Sequence, residues 1–185
     1  MAATNFVIGI SSYSGGGKTC VAKHLAALLG NVPGIYTDDY DAVSSLPADF
    51  GEWMARGAPQ HEISRPVLAQ HIALLRSGIA ITHPISQLPI TPGPFIVFDC
   101  PDGRSPDFSS NIDLMVFLDT PLDIAMARRI LRDYFADSGA LRPEQSHQLR
   151  LDLEGYLQGA RQAYLHMDVA VRPGCDLILD GASGP

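Results

Sequence analysis

Lysine is nearly missing from this sequence: Lys18 and Lys23 are the only two among 185 residues. With 13 Lys and Arg against 20 Asp and Glu, the chain carries a net charge of −7. Its only dense basic cluster is Arg128, Arg129 and Arg132. A nucleic-acid binder ordinarily shows a basic stripe or face, so the charge balance argues against a nucleic-acid partner. It leaves room for a small anionic ligand, which needs only a local positive pocket. Long apolar runs are missing as well. None approaches the roughly 20 residues that span a bilayer, so no membrane association is expected. The apolar run Phe6–Ile10 is short and has no basic residue before it, which does not fit a signal peptide. Cysteine is scarce: Cys20, Cys100 and Cys175 are odd in number, far apart and without a CxxC or zinc spacing. The expectation is a reduced, cytoplasmic setting, with Cys100 and Cys175 acting as small hydrophobes.

The remaining composition is that of a globular chain, 46% hydrophobic and 18% charged, and its length fits one domain over 1–185. Phe6–Ser11 alternates and is rich in β-formers, so it predicts a strand. Thr19–Leu29 has apolar residues at helical spacing, and Gly30 stops it. Further strands are expected at Gly34–Thr37, Phe95–Phe98, Ile112–Leu118 and Asp176–Leu179. Helices are expected at Pro66–Arg76, at Pro121–Phe135 with Thr120 as N-cap, and at Pro143–Met167. Ile79–Pro94 reads as a small hairpin or an extended connection. Residues 41–62 have no clean period. Strands alternating with helices imply a mainly parallel, five-stranded sheet with helices on both faces, whose ligands gather at the carboxyl ends of the strands.

Between the first strand and the first helix the chain reads Ser12-Tyr13-Ser14-Gly15-Gly16-Gly17-Lys18-Thr19. This is the P-loop pattern G-x-x-x-x-G-K-[ST], with Ser12 in place of the first glycine. Gly15, Gly16 and Gly17 let backbone N–H groups turn inward as an anion nest. Ser14 and Cys20 complete the loop and the helix start. Lys18 is expected at the β- and γ-phosphates of ATP, and the Thr19 hydroxyl on Mg²⁺. Since Lys18 is committed there and only Lys23 remains, nothing can supply the base-reading Asn/Thr-Lys-x-Asp of an ordinary GTPase. The expected fold is therefore α/β, of the three-layer P-loop NTPase kind.

Two acidic strand ends follow. Thr37-Asp38-Asp39-Tyr40-Asp41 comes after the second strand, and Asp99 ends the third. Transfer of a phosphoryl group to a hydroxyl needs one carboxylate near the hydroxyl proton and another near the metal. Asp38 or Asp39 suits the first role and Asp99 the second, while turn chemistry is the alternative for Asp39 and Asp41. Downstream, Arg128 and Arg132 share a face of the predicted helix, with Arg129 beside it. Like charges four apart repel unless an anion binds them, so 121–142 reads as an arginine-bearing lid over the nucleotide. A solvated face with Asp133 and Asp137 as counter-ions is the alternative.

Together these segments resemble the uridine kinase-like nucleoside kinases, with the nicotinamide riboside kinases close by. The likeness rests on Ile8-Gly9-Ile10-Ser11 entering the loop, on Asp38-Asp39-Tyr40, on Phe117-Leu118-Asp119-Thr120-Pro121 leading into Arg128-Arg129-Ile130-Leu131-Arg132-Asp133, and on Asp176-Leu177-Ile178-Leu179-Asp180-Gly181. It implies that Asp38 is the catalytic base, that Lys18, Arg128 and Arg132 act on the transferring group, and that Asp180 and Gly181 lie near the adenine. Thr19 and Asp99 would hold Mg²⁺. The family ends its third strand in Glu-Gly, and this chain has Asp99-Cys100. The family's Phe-Asp-His-Pro stretch is replaced by Leu46-Pro47-Ala48-Asp49-Phe50-Gly51-Glu52-Trp53. Residues 41–62 would then form the acceptor-binding segment. Asp38, Asp39, Tyr40 and Trp53 would touch a small hydroxyl-bearing acceptor, and Tyr40, Phe50 and Trp53 either stack on a base or pack the domain. The expected function is transfer of the ATP γ-phosphate to a nucleoside-like metabolite. A pantothenate, sugar or other alcohol acceptor is one alternative, and a regulatory nucleotide-binding protein with little transfer activity is another. A homo-oligomer is left open.

Overall fold

The computed structural model describes residues 4–49, 52–53, 56, 59–135 and 141–183. Phe50, Gly51 and Asp137, named above, lie outside the described residues, as do 54–55 and 57–58 of the expected acceptor segment and 136–140 of the expected lid.

The core is a five-stranded sheet of β1 (Phe6–Ser11), β2 (Gly34–Tyr36), β5 (Phe95–Asp99), β6 (Leu114–Asp119) and β7 (Leu177–Asp180). Its order is β2-β5-β1-β6-β7, and every pairing is parallel. Both faces of the central strands are buried, as parallel sheets require. The two-residue side-chain period sorts the apolar residues onto two sides. Val7, Ile96, Phe98 and Met115 share one cluster with Leu68, Ile72 and Leu75 of α2 (Pro66–Arg76). Ile8, Ile10, Val97, Val116 and Leu118 share the other with Ala22 and Ala26 of α1 (Lys18–Leu28). The result is the three-layer arrangement expected.

The other helices are α3 (Leu122–Phe135), α4 (Pro143–Gly155) and α5 (Arg161–Ala170). The single helix expected over Pro143–Met167 is interrupted by a π-turn at Tyr156–Ala160. Gly155 and Gly159 sit at this point, where backbone freedom weakens the regular 3.6-residue ladder. The ambiguous Ile79–Pro94 stretch is a hairpin, pairing β3 (Ile81–Thr82) with β4 (Pro89–Ile90). Thr37, expected to end a strand, instead opens a 3₁₀ turn over Thr37–Val43. Among the described residues, no helix is long and apolar enough to cross a membrane.

Parallel register brings the chemistry to one edge. Ile10 lies opposite Asp99, Ser11 opposite Phe117, Tyr36 opposite Asp99, and Asp119 opposite Asp180. The P-loop, the acidic turn and the last loop therefore leave the sheet side by side. Because β5 and β6 flank β1 on opposite sides, the P-loop emerges at the crevice where connections diverge, the usual ligand position in an open α/β sheet.

Candidate active site

Gly15 and Gly17 adopt the left-handed region, with φ of 81° and 98°. Gly16 is required for a different reason. A Cβ there would lie 1.9 Å from Ser12 Oγ and 2.8 Å from Ser12 Cβ. Ser12 is buried, and its hydroxyl donates to the Leu118 carbonyl at 2.9 Å. Its φ is not positive, so the serine in the usual glycine position is unstrained. The hydroxyl that anchors the loop to β6 is the group that forbids a side chain at Gly16. Gly16→Ala is therefore expected to weaken ATP binding at least tenfold in a calorimetric titration, a few kcal/mol of overpacking being the driving term. Ser12→Gly in the same chain is expected to restore most of it. Thr120, predicted as an N-cap, is buried and donates to the Gly16 carbonyl at 2.8 Å, securing the loop from the other side.

Asp99 is the most constrained acid of the site, only 1% exposed. Thr19 Oγ1 donates to its Oδ2 at 2.6 Å, and the Thr37 N–H donates to its Oδ1 at 2.9 Å. The Thr37 hydroxyl also donates to the Asp99 carbonyl. This carboxylate and hydroxyl, at the base of an anion nest, match the donor set of Mg²⁺, which keeps several waters and takes one or two protein oxygens beside phosphate. No cluster of three or more His, Cys, Asp or Glu side chains among the described residues makes an all-protein metal cage.

Lys18, Thr19 and Cys20 line a cleft of about 440 Å³ together with Tyr13, Gly15, Gly17, Lys23, Arg128 and Arg132. Asp38 is exposed, and its charge is felt by Arg132. The Arg132 guanidinium is held above its ordinary value first by its bond to Asp133, against partial burial, with the charges of Asp133 and Asp38 adding to that. A smaller cavity of about 190 Å³ adjoins the cleft, lined by Gly16, Cys20, Val21, Leu118, Arg128 and the Asp180-Gly181 loop. Arg128 donates to the carbonyls of Gly181 and Ala182 at 2.8 and 3.0 Å, so it ties α3 to that loop.

Three predicted residues sit differently from expectation. Arg129 is turned toward Asp133 at 3.5 Å, Asp152 at 3.7 Å and the Tyr164 hydroxyl, bracing α3 against α4 and α5. Tyr40 is 1% exposed in the core, its hydroxyl 2.9 Å from His71 Nδ1. Trp53 is buried as well, and its indole N–H donates to the Pro59 carbonyl. A stacking platform must show a ring face to its ligand, and neither buried ring does so here.

Several residues of the site were not singled out from the sequence. Thr37 is one, through its bonds to Asp99. Tyr13, within the P-loop, donates to Asp168 of α5 and packs edge-on against Phe117. Arg65 is buried and bonds Asp102 at 2.8 Å and Asp41 at 2.9 Å, joining the loop after β5 to the acidic turn. Burial opposes its charge, and the two carboxylates outweigh burial. Such long-range partners leave no mark in local spacing.

No protein-family model matches the chain, and no curated relative does either. Solved structures do. A protein described as a possible uridine kinase from Bacillus stearothermophilus aligns over 97% of this chain and 91% of its own, with TM-score 0.54 and 16% identity. One described as a fructose transport system kinase, from a Silicibacter species, aligns over 95% and 90%, with TM-score 0.55 and 16% identity. Shikimate kinase from Acinetobacter baumannii aligns over 98% and 87%, with TM-score 0.54 and 16% identity. The chain shares its three-layer α/β fold with these three proteins. At this identity the likeness concerns the backbone, and the chemistry rests on the side chains described above.

Proposed function

We propose that this chain is an ATP-dependent kinase of a small hydroxyl-bearing metabolite. One observation carries the reading: the phosphate cradle, the Thr19–Asp99 pair and the turn that bears Asp38 lie together at the carboxyl end of one sheet, with Asp38 in electrostatic reach of Arg132. The kinds of kinase named among the structural neighbours agree with it.

In this reading the nest of Gly15, Gly16 and Gly17 binds the β-phosphate, and Lys18 bridges to the γ-phosphate. Thr19 and Asp99 would hold Mg²⁺, which neutralises charge on the phosphate oxygens. The loop at Asp180-Gly181, tied by Arg128, receives the adenine. Asp38 accepts the acceptor's hydroxyl proton as its oxygen bonds to the γ-phosphorus and the bond to the ADP oxygen breaks. Arg132 faces the charge that develops on the moving group. The whole chain acts as one catalytic unit on a small molecule, with neither nucleic acid nor membrane involved.

We read the acceptor as nucleoside-like, on the strength of the Asp38-Asp39-Tyr40 and lid segments. The burial of Tyr40 and Trp53 favours a second reading, in which the acceptor is a non-aromatic alcohol such as a sugar or pantothenate. Acceptor-dependent release of ADP, measured over nucleosides, sugars and vitamins, decides between them. Turnover with nucleosides alone supports the first reading, and turnover with sugars or pantothenate supports the second. ATP binding without acceptor-dependent ADP release from any of them would overturn the kinase assignment in favour of a regulatory protein.

A further inference from the structure

His83 lies in the β3–β4 hairpin, remote in sequence from every motif of the site. Its ring nevertheless reaches the acidic turn, with Nε2 3.1 Å from Asp39 Oδ2. The other nitrogen fixes the proton's location. The backbone N–H groups of Ile85 and Ser86 both point at Nδ1, each at 3.2 Å. A backbone N–H can only donate, so Nδ1 accepts and carries no proton. The neutral ring must then hold its proton on Nε2 and donate it to Asp39. The hairpin is thus built to present a donor in one direction, as a histidine oriented by a backbone bond does in many sites.

What that donor holds matters. The pair is largely shielded, with 22% of the His83 side chain and 29% of the Asp39 side chain exposed. Asp39 shares a 3₁₀ turn with Asp38, and three residues per turn leave the two side chains about 120° apart. Seven residues is long for a 3₁₀ turn, whose internal bonds are poor in geometry, so side-chain tethers help to fix its rotation. Thr37 anchors its start to Asp99, Tyr40 anchors its middle to His71 of α2, and Asp41 is held by Arg65. His83 supplies a further tether, through Asp39. With Asp39 fixed there, Asp38 stays exposed on the same turn, within electrostatic reach of Arg132.

We propose that His83 is a positioning residue for phosphoryl transfer: by donating to Asp39 it sets the rotation of the acidic turn and so the direction of Asp38. The proposal rests on the kinase reading of the same site. It also assigns Asp39 a role distinct from Asp38, as the handle by which the turn is held.

The experiment uses the full chain, ATP·Mg²⁺, and uridine, ribose and pantothenate as acceptors. His83→Ala is expected to lower kcat about tenfold, less than the ~10² that a misplacement of 1 Å can cost. KM for ATP should stay within about twofold, because the P-loop is untouched. His83→Gln, which keeps an N–H donor, should recover most of the loss. In a chain already carrying Asp39→Ala, removing His83 should add nothing further, the mark of two groups acting as one. A ¹⁵N spectrum of the histidine rings, with the His83 signals assigned by their loss in His83→Ala, should show the Nε2–H tautomer. Unchanged kcat in His83→Ala, additive losses in the double variant, or an Nδ1–H tautomer would each overturn the positioning role. A parent that transfers phosphate to none of the acceptors overturns the kinase reading and this role with it. The ring spectrum is independent of turnover, so it separates that failure from a failure of the His83–Asp39 contact.

Discussion

Asp38→Asn is expected to bind ATP·Mg²⁺ close to the parent's affinity and to lose at least ~10²-fold in acceptor phosphorylation. An alcohol holds its proton at neutral pH, so the proton has to leave as the new P–O bond forms. A carboxylate within reach can take it, whereas a carboxamide of the same shape can only orient the oxygen. Asp38 fits because it is exposed at the sheet edge that carries the cradle and lies within electrostatic reach of Arg132. Asp39→Asn should lose less, since its carboxylate is already engaged by His83. Calorimetry for ATP and a steady-state transfer assay measure the two quantities separately. If Asp39→Asn is the inactive one, the proton acceptor is Asp39. If neither variant loses transfer, the kinase chemistry is wrong.

Lys18→Ala is expected to cost ~10²–10³-fold in turnover, the range seen when one preorganised donor to a transition state is removed. Lys18 stands at the start of α1 and lines the 440 Å³ cleft with Gly15, Gly17, Arg128 and Arg132. Lys23 is the only other lysine and also borders the cleft, but its ammonium lies 5.4 Å from the Tyr36 ring centre. It is thus engaged elsewhere and should not substitute. ATP affinity should fall with turnover while the circular dichroism spectrum stays that of the parent. Unchanged turnover would rule out the P-loop assignment.

Much of the fold was legible because its signals are local. The buried strands are short continuous apolar runs, and α1 and α2 carry helical spacing with glycine or proline at their ends. The P-loop was legible for the same reason, since its glycines are consecutive and its lysine and threonine adjacent. What escaped depends on partners far along the chain. Nothing near His83 marks it, because Asp39 is 44 residues away. Arg65 looks like an ordinary residue before a helix until Asp41 and Asp102 close on it. The π-turn inside the long polar helix has glycines at hand, but glycine alone does not distinguish a π-turn from a simple weakening. Tyr40 and Trp53 had two readings as aromatics in a loop, and only packing could choose between them.

Asp99 ends β5 where the resembling kinases end theirs in a longer acid, and its surroundings give the shorter one a purpose. The carboxylate is a keystone between two strands as well as a candidate metal ligand. One oxygen receives the hydroxyl of Thr19, and the other receives the N–H at the exit of β2. A glutamate would carry its charge one methylene farther and give up that second contact. An alanine would strand the buried Thr37 N–H, at a cost of about 1–3 kcal/mol. Loss of activity on altering Asp99 would therefore mix metal chemistry with a loosened scaffold. Thr19, which lends the same centre only a hydroxyl, is the cleaner place to ask what the metal contributes.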